Sequence, residues 1–208
     1  MTDLSDEWLK SYRHGVVPIG PPDEVRSPMN ALPERYDPVS QSHCEAHISL
    51  TPPFLHAPTE PNWHAIERAV EPFEPFDIAL GPVNGWLSQS VIYLEVRPAA
   101  DLECLNEALL ATRLFAEPQF KTFVPHLTIT EGFSSIPVTD DLFDTLKKAV
   151  AARSFYCDRL AYVRPDENFR FWIERTIVLG RVDLFLGYST VLQRYQALLP
   201  NHCTQRIK

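Results

Sequence analysis

Ala46-His47-Ile48-Ser49-Leu50-Thr51-Pro52-Pro53-Phe54 has an echo seventy-nine positions on, in Pro125-His126-Leu127-Thr128-Ile129-Thr130-Glu131-Gly132-Phe133. Both copies read small residue or Pro, His, aliphatic, hydroxyl, aliphatic, Thr, two turn-like residues, Phe. In a strand, side chains alternate between two faces. His47, Ser49 and Thr51 then share one face, with Ile48 and Leu50 on the other. His126, Thr128 and Thr130 likewise share a face, opposite Leu127 and Ile129. Each copy presents an imidazole beside a hydroxyl, backed by an apolar face that can be buried. Two such strands side by side would offer one small ligand two imidazoles and at least two hydroxyls.

The rest of the chain reads as scaffold for that meeting. At 208 residues it suits one folding unit with ample material for a core. Its 45% hydrophobic and 22% charged content is that of a globular protein. No apolar run approaches the ~18 residues of a membrane span, and the acidic start lacks the pattern of a signal peptide. A cytoplasmic location is therefore expected. Cys44, Cys104, Cys157 and Cys203 are scattered without a CxxC pair and read as reduced thiols. A net charge of −8 works against tight binding to long or double-stranded nucleic acid, but not against a small anion in a local pocket.

Taken in order, residues 1–15 read as a polar lead-in, and Val16–Ile19 as a first strand. A helix follows from Asp23 to Arg35, which Pro28 and Pro33 should interrupt or bound. Trp63, Ile66 and Val70 mark an amphipathic helix. Phe76–Leu80 alternates as a strand, Gly81-Pro82-Val83-Asn84-Gly85 reads as a turn cluster, and Val91–Val96 as a buried strand. Asp101 and Thr139 are candidate helix caps. Phe155–Val163 and Phe169–Leu179 flank turn residues as in a hairpin. Tyr188, Val191, Leu192, Tyr195, Leu198 and Leu199 mark a C-terminal amphipathic helix. Strands and helices alternate about twice, one His motif to each half. The expected fold is α+β, antiparallel sheets with outer helices in two similar lobes related by a pseudo-two-fold about a central cleft. The domain spans 16–180, with a helical extension over 181–208.

Paired H-x-[S/T] motifs about 80 residues apart, flanked by aliphatics, resemble the 2H phosphoesterase superfamily, and within it the 2′-5′ RNA ligase / RNA 2′,3′-cyclic phosphodiesterase branch. Arg35-Tyr36-Asp37-Pro38 before the first motif, Pro53-Phe54 after it and the Val91–Val96 strand add to the likeness, which covers roughly residues 16 to 180. The resemblance implies metal-free phosphodiester chemistry, with His47 and His126 as the catalytic pair and Ser49 and Thr128 binding phosphate. No cofactor is implied. The expected partners are RNA ends or small nucleotides carrying a cyclic phosphate, and a monomer is expected. The chemistry is sound independently: opening a 2′,3′-cyclic phosphate needs one group to deprotonate water and another to protonate the leaving ribose oxygen, and two imidazoles can do both near neutral pH. Two near-equivalent halves leave open which histidine is which.

Further candidates for substrate contact are Thr51, Thr130, Phe54, Lys121, Trp86 and Arg170. Many relatives place an Arg shortly after the second motif, where Thr130-Glu131-Gly132 stands here. Lys121 or Arg170 could supply that cation, and strand alternation points Glu131 away from the cleft. Trp86, Phe54, Phe120 and Phe133 could stack a base, although aromatics are more often core. A zinc reading of His43, Cys44 and His47 lacks a second ligand cluster. A non-catalytic nucleotide or RNA-end binder on the same fold is the alternative.

Overall fold

The computed structural model describes residues 10–132 and 136–180. The expected C-terminal helix, most of the N-terminal lead-in and Phe133 lie outside them. The strands are β1 (Pro18–Ile19), β2 (Ile48–Ser49), β3 (Phe76–Trp86), β4 (Val91–Arg97), β5 (His126–Thr130), β6 (Arg153–Cys157), β7 (Arg159–Pro165) and β8 (Phe171–Val178). The helices are α1 (Asp23–Tyr36), α2 (Pro38–His43), α3 (Glu60–Val70), α4 (Ala99–Leu110) and α5 (Asp140–Ala149).

Among the described residues one antiparallel sheet runs β1-β2-β5-β4-β3-β6, and β7 pairs with β8. Val16 and Val163 exchange backbone hydrogen bonds of 2.9 and 3.0 Å, stitching β7 to the chain entering β1. The strands thus fall into two groups, β2, β1, β7, β8 and β5, β4, β3, β6, meeting at the β2/β5 seam. This is the α+β, antiparallel architecture the repeated motif implied.

Burial explains why the motif strands sit innermost. Ile48, Leu50, Leu127 and Ile129 are buried and join one core with Ile19, Leu94, Leu102 and Leu105. Fully burying such a side chain is worth about 1.5–3 kcal/mol. Asn106 of α4 donates to the Leu50 carbonyl at 2.6 Å, supplying a partner for a buried acceptor where β2 ends.

Several elements differ from expectation. Helix α1 runs through both Pro28 and Pro33, because Val25, Met29 and Pro33 bury against the core and offset the lost backbone bond. Residues 81–85 are not a chain reversal: β3 continues through Gly81-Pro82 with a register shift between Leu80 and Val83, and Gly81 has φ +104°. Here Gly-Pro marks a bulge. The expected strand 155–163 is two strands that part at Asp158, β6 joining β3 and β7 joining β8. Helix α4 begins at Ala99, just ahead of the expected Asp101. Thr139 caps α5 as read, its Oγ1 accepting from the Leu142 N–H at 3.2 Å, and α3 has a cap the sequence reading did not name, Asn62 Oδ1 accepting from the Thr59 N–H at 2.9 Å. Cys44 and Cys157 are free thiols, but Cys104 is disulfide-bonded, against the reading of four reduced cysteines.

Candidate active site

Ile48 of β2 stands opposite Leu127 of β5 in an antiparallel pair. Extending that register one place either way sets His47 across from Thr128 and Ser49 across from His126. Directly opposed residues have Cβ atoms about 4.5–5.5 Å apart. Since Ile48 and Leu127 face the core, these four polar side chains share the other face. Each imidazole therefore faces the other motif's hydroxyl.

The two rings are held alike. His47 Nδ1 lies 2.8 Å from the Glu45 carbonyl, and His126 Nδ1 lies 2.7 Å from the Val124 carbonyl. A carbonyl only accepts, so each Nδ1 carries the proton and each Nε2 is left for chemistry. His47 Nε2 is 3.1 Å from Ser49 Oγ. Trp86 and Tyr93 pack edge-on around His126, with centroids 4.9 and 5.4 Å from its ring.

The surroundings drive the two rings apart electrostatically. Burial alone would lower the pKa of His47. The Cys44 thiol, with Sγ 3.4 Å from Nδ1, outweighs it together with the Glu45 carbonyl and the charge of Glu131, raising the group to about 9. His126 is pushed below the usual histidine value by burial, against the Val124 carbonyl and reinforced by the positive charge of His47. One imidazolium beside one neutral imidazole is the state a paired proton transfer needs.

The remaining candidates divide. Trp86 stands beside His126 at the site. Thr51 does not: it is buried, and its Oγ1 accepts from the Val17 N–H at 3.0 Å, completing the β1–β2 ladder where β2 ends. Thr130 is buried too and donates to Asp37 Oδ2 at 3.3 Å. Phe54 is core, its ring 4.4 Å from Phe115 and packed on Trp63 and Tyr162. Phe120 is exposed. Lys121 and Arg170 are exposed, and among the described residues no hydrogen bond or ion pair joins either side chain to the motifs. His43 turns its Nδ1 to the Phe169 carbonyl at 3.1 Å, so it does not converge with Cys44 and His47 as a zinc site requires. Among the described residues no group of three His, Cys, Asp or Glu is arranged to hold a metal.

Glu131 reverses the expectation placed on it. Tyr93 of β4 pairs with Thr128, but Ile92 pairs with Thr130, so β5 carries one extra residue at Ile129. A bulge of this kind flips the alternation beyond it. Thr130 therefore turns to the core, and Glu131 comes round to the face of His126 and Thr128. Glu131 as a residue is exposed, yet desolvation of its carboxyl raises its pKa; the charge of His47 opposes this, that of Asp37 adds to it, and the nearby Thr128 hydroxyl lowers it again. Tyr93, Cys44 and Asp37 also shape the site, and none was read in this role from the sequence. Only the pair Cys44/His47, three apart, was within reach of sequence inspection.

The family description that matches this chain is the 2′-5′ RNA ligase superfamily, over residues 21–169. Among curated proteins, a Bacillus pumilus protein named "Putative phosphoesterase" is 28% identical over 180 residues, covering 81% of this chain and 98% of its own. A Bacillus cereus protein of the same description is 29% identical over 181 residues, covering 80% and 96%. Two solved structures share the fold. TT0787 of Thermus thermophilus superposes with a TM-score of 0.55 at 19% identity, covering 80% of this chain and 98% of that one. Escherichia coli LigT complexed with 3′-AMP superposes with a TM-score of 0.50 at 16% identity, covering 82% and 99%.

Proposed function

The chain belongs to the 2′-5′ RNA ligase superfamily, the 2H phosphoesterases, and from that premise we propose that it is a metal-independent phosphodiesterase. Its substrates are 2′,3′-cyclic phosphates or 2′-5′ phosphodiesters of RNA ends or small nucleotides. The observation that carries the reading is the β2/β5 register, which sets two imidazoles and two hydroxyls on one face, with each ring's Nδ1 held by a backbone carbonyl and His47 Nε2 turned to Ser49 Oγ. That LigT has been seen with 3′-AMP supports a nucleotide-sized ligand on this fold.

His126, held neutral, is the general base: its Nε2 takes a proton from water as the oxygen attacks phosphorus. His47, held protonated, is the general acid: its Nε2–H gives a proton to the ribose oxygen as the P–O bond breaks. Ser49 and Thr128 donate to the non-bridging oxygens as charge builds in the transition state. Afterwards His126 is protonated and His47 neutral, and exchange with solvent restores the pair. Trp86, edge-on to His126, is a candidate wall for the base or ribose.

The test is turnover of a 2′,3′-cyclic nucleotide panel in the presence of a chelator. Turnover should survive chelation, and His47→Ala and His126→Ala should each lower the rate by roughly 10²–10⁴-fold with an unchanged melting temperature. Turnover abolished by the chelator, or either variant at full rate, would overturn the mechanism. Binding without product across the panel would favour the non-catalytic binder.

A further inference from the structure

The carboxylate of Glu131 sits on the face that should receive an anion, and the backbone around it is fixed. Its N–H donates to Asp37 Oδ2 at 2.8 Å, and the Thr130 hydroxyl donates to the same oxygen at 3.3 Å. Asp37 is itself fully buried, and its Oδ1 accepts from the Ser40 N–H at the start of α2. Beyond Glu131 the chain turns away at Gly132, at φ +71°, with its N–H 3.2 Å from Thr130 Oγ1. A Cβ at Gly132 would lie 2.8 Å from the Ser90 Cβ, so the turn leaves no room for a larger residue. Glu131 is thus presented by a built turn rather than by a loose surface loop.

Two further observations define its role. Thr128, a hydroxyl that would bind phosphate, lies near enough to the carboxylate to lower its pKa, and the charge of Glu131 is felt at His47 and at Tyr12. Among the described residues no Lys or Arg is ion-paired with Glu131. A ligand anion therefore meets one imidazolium, neutral hydroxyls and a carboxylate with no Lys or Arg partner among the described residues.

We propose that Glu131 is a specificity-determining charge filter: it admits a phosphodiester of single negative charge and disfavours phosphomonoesters and nucleotides bearing further phosphates. The proposal rests on the phosphodiesterase reading and narrows its substrate class to cyclic or 2′-5′ diesters without a terminal phosphate. Coulomb repulsion scales with the ligand's charge, so a dianion feels about twice what a monoanion feels. Hydrolysis converts a diester into a monoester, so repulsion rises once the bond is cut and favours departure of product. The same carboxylate can accept a hydrogen bond from a ribose hydroxyl or a base N–H, which a neutral part of the substrate supplies.

The experiment compares the wild-type protein with Glu131→Gln and Glu131→Arg. It measures KM for adenosine 2′,3′-cyclic phosphate, Ki for adenosine 2′- and 3′-monophosphate, and KM for the cyclic nucleotide carrying a 5′-phosphate. Glu131→Gln should tighten the diester on the order of 5-fold and the monoesters by about the square of that, ~25-fold. Glu131→Arg should move both further in the same order. A merely structural role would change melting temperature or kcat but not the ratio between singly and doubly charged ligands. Equal shifts for both charge classes, or none, would overturn the filter while leaving the phosphodiesterase reading intact. Absence of both turnover and competition in all three proteins would remove both.

Discussion

A cysteine three residues before a histidine is an ordinary sequence event, yet here Cys44 governs the proton affinity of His47. Its sulfur lies 3.4 Å from Nδ1 and acts through both charge and hydrogen bonding, the largest effects opposing burial. The consequence is a pH profile with a definite sense. If His126 must be neutral, activity falls as pH drops through its pKa, which lies below the usual 6.5. If His47 must be protonated, activity falls as pH rises through about 9. The plateau between them should be wider than two unperturbed histidines allow. Cys44→Ala removes the main upward influence, so the alkaline limb of kcat/KM should move to lower pH while the acid limb stays. An unmoved alkaline limb would show that His47 is not the proton donor.

At the scale of elements the decisive device is the bulge in β5. One extra residue at Ile129 sends Thr130 into the core and Glu131 to the cleft, which alternation alone assigns the other way round. The bulge is braced from outside the sheet: Asp37, at the junction of α1 and α2, takes both the Thr130 hydroxyl and the Glu131 N–H. Asp37→Ala leaves those donors and the Ser40 N–H without their acceptor in a buried place. Such losses cost about 1–3 kcal/mol, so a melting temperature lowered by several degrees is expected. The variant should also lose the discrimination between singly and doubly charged ligands, because Glu131 is no longer held. A full wild-type melting temperature would mean that Asp37 is not the brace.

For the molecule as a whole, four strands on either side of the β2/β5 seam make the site a product of two halves far apart in the chain. No helix among the described residues is long and apolar enough to cross a membrane. The net charge of −8 surrounds a site that already contains a carboxylate with no Lys or Arg partner among the described residues. At low ionic strength a longer RNA end brings more phosphates into that field, so kcat/KM should fall with oligonucleotide length while a cyclic mononucleotide is little affected. Added salt screens exposed charges beyond about 10 Å at 0.1 M and should narrow the gap. A gap that persists or widens with salt would place the length effect in local contacts rather than in the overall charge.

The repeat around His47 and His126 determined a great deal unaided. Period-two alternation requires Ile48, Leu50, Leu127 and Ile129 to bury, and burying them turns both imidazoles and both hydroxyls to one face. The α+β class and the pairing of the two motifs were legible for that reason. The sequence could not give the fates of Thr51, Thr130, Phe54 and Glu131, because each depends on a partner remote in the chain. Thr51 is claimed by Val17, Thr130 by Asp37, Phe54 by Phe115 and Trp63, and Glu131 by a register shift against β4. The unequal proton affinities of two similar motifs have both a near and a remote source: Cys44, three residues before His47, is local, but its approach to the ring, the charge of Glu131 and the apolar enclosure of His126 come only with the packed surroundings.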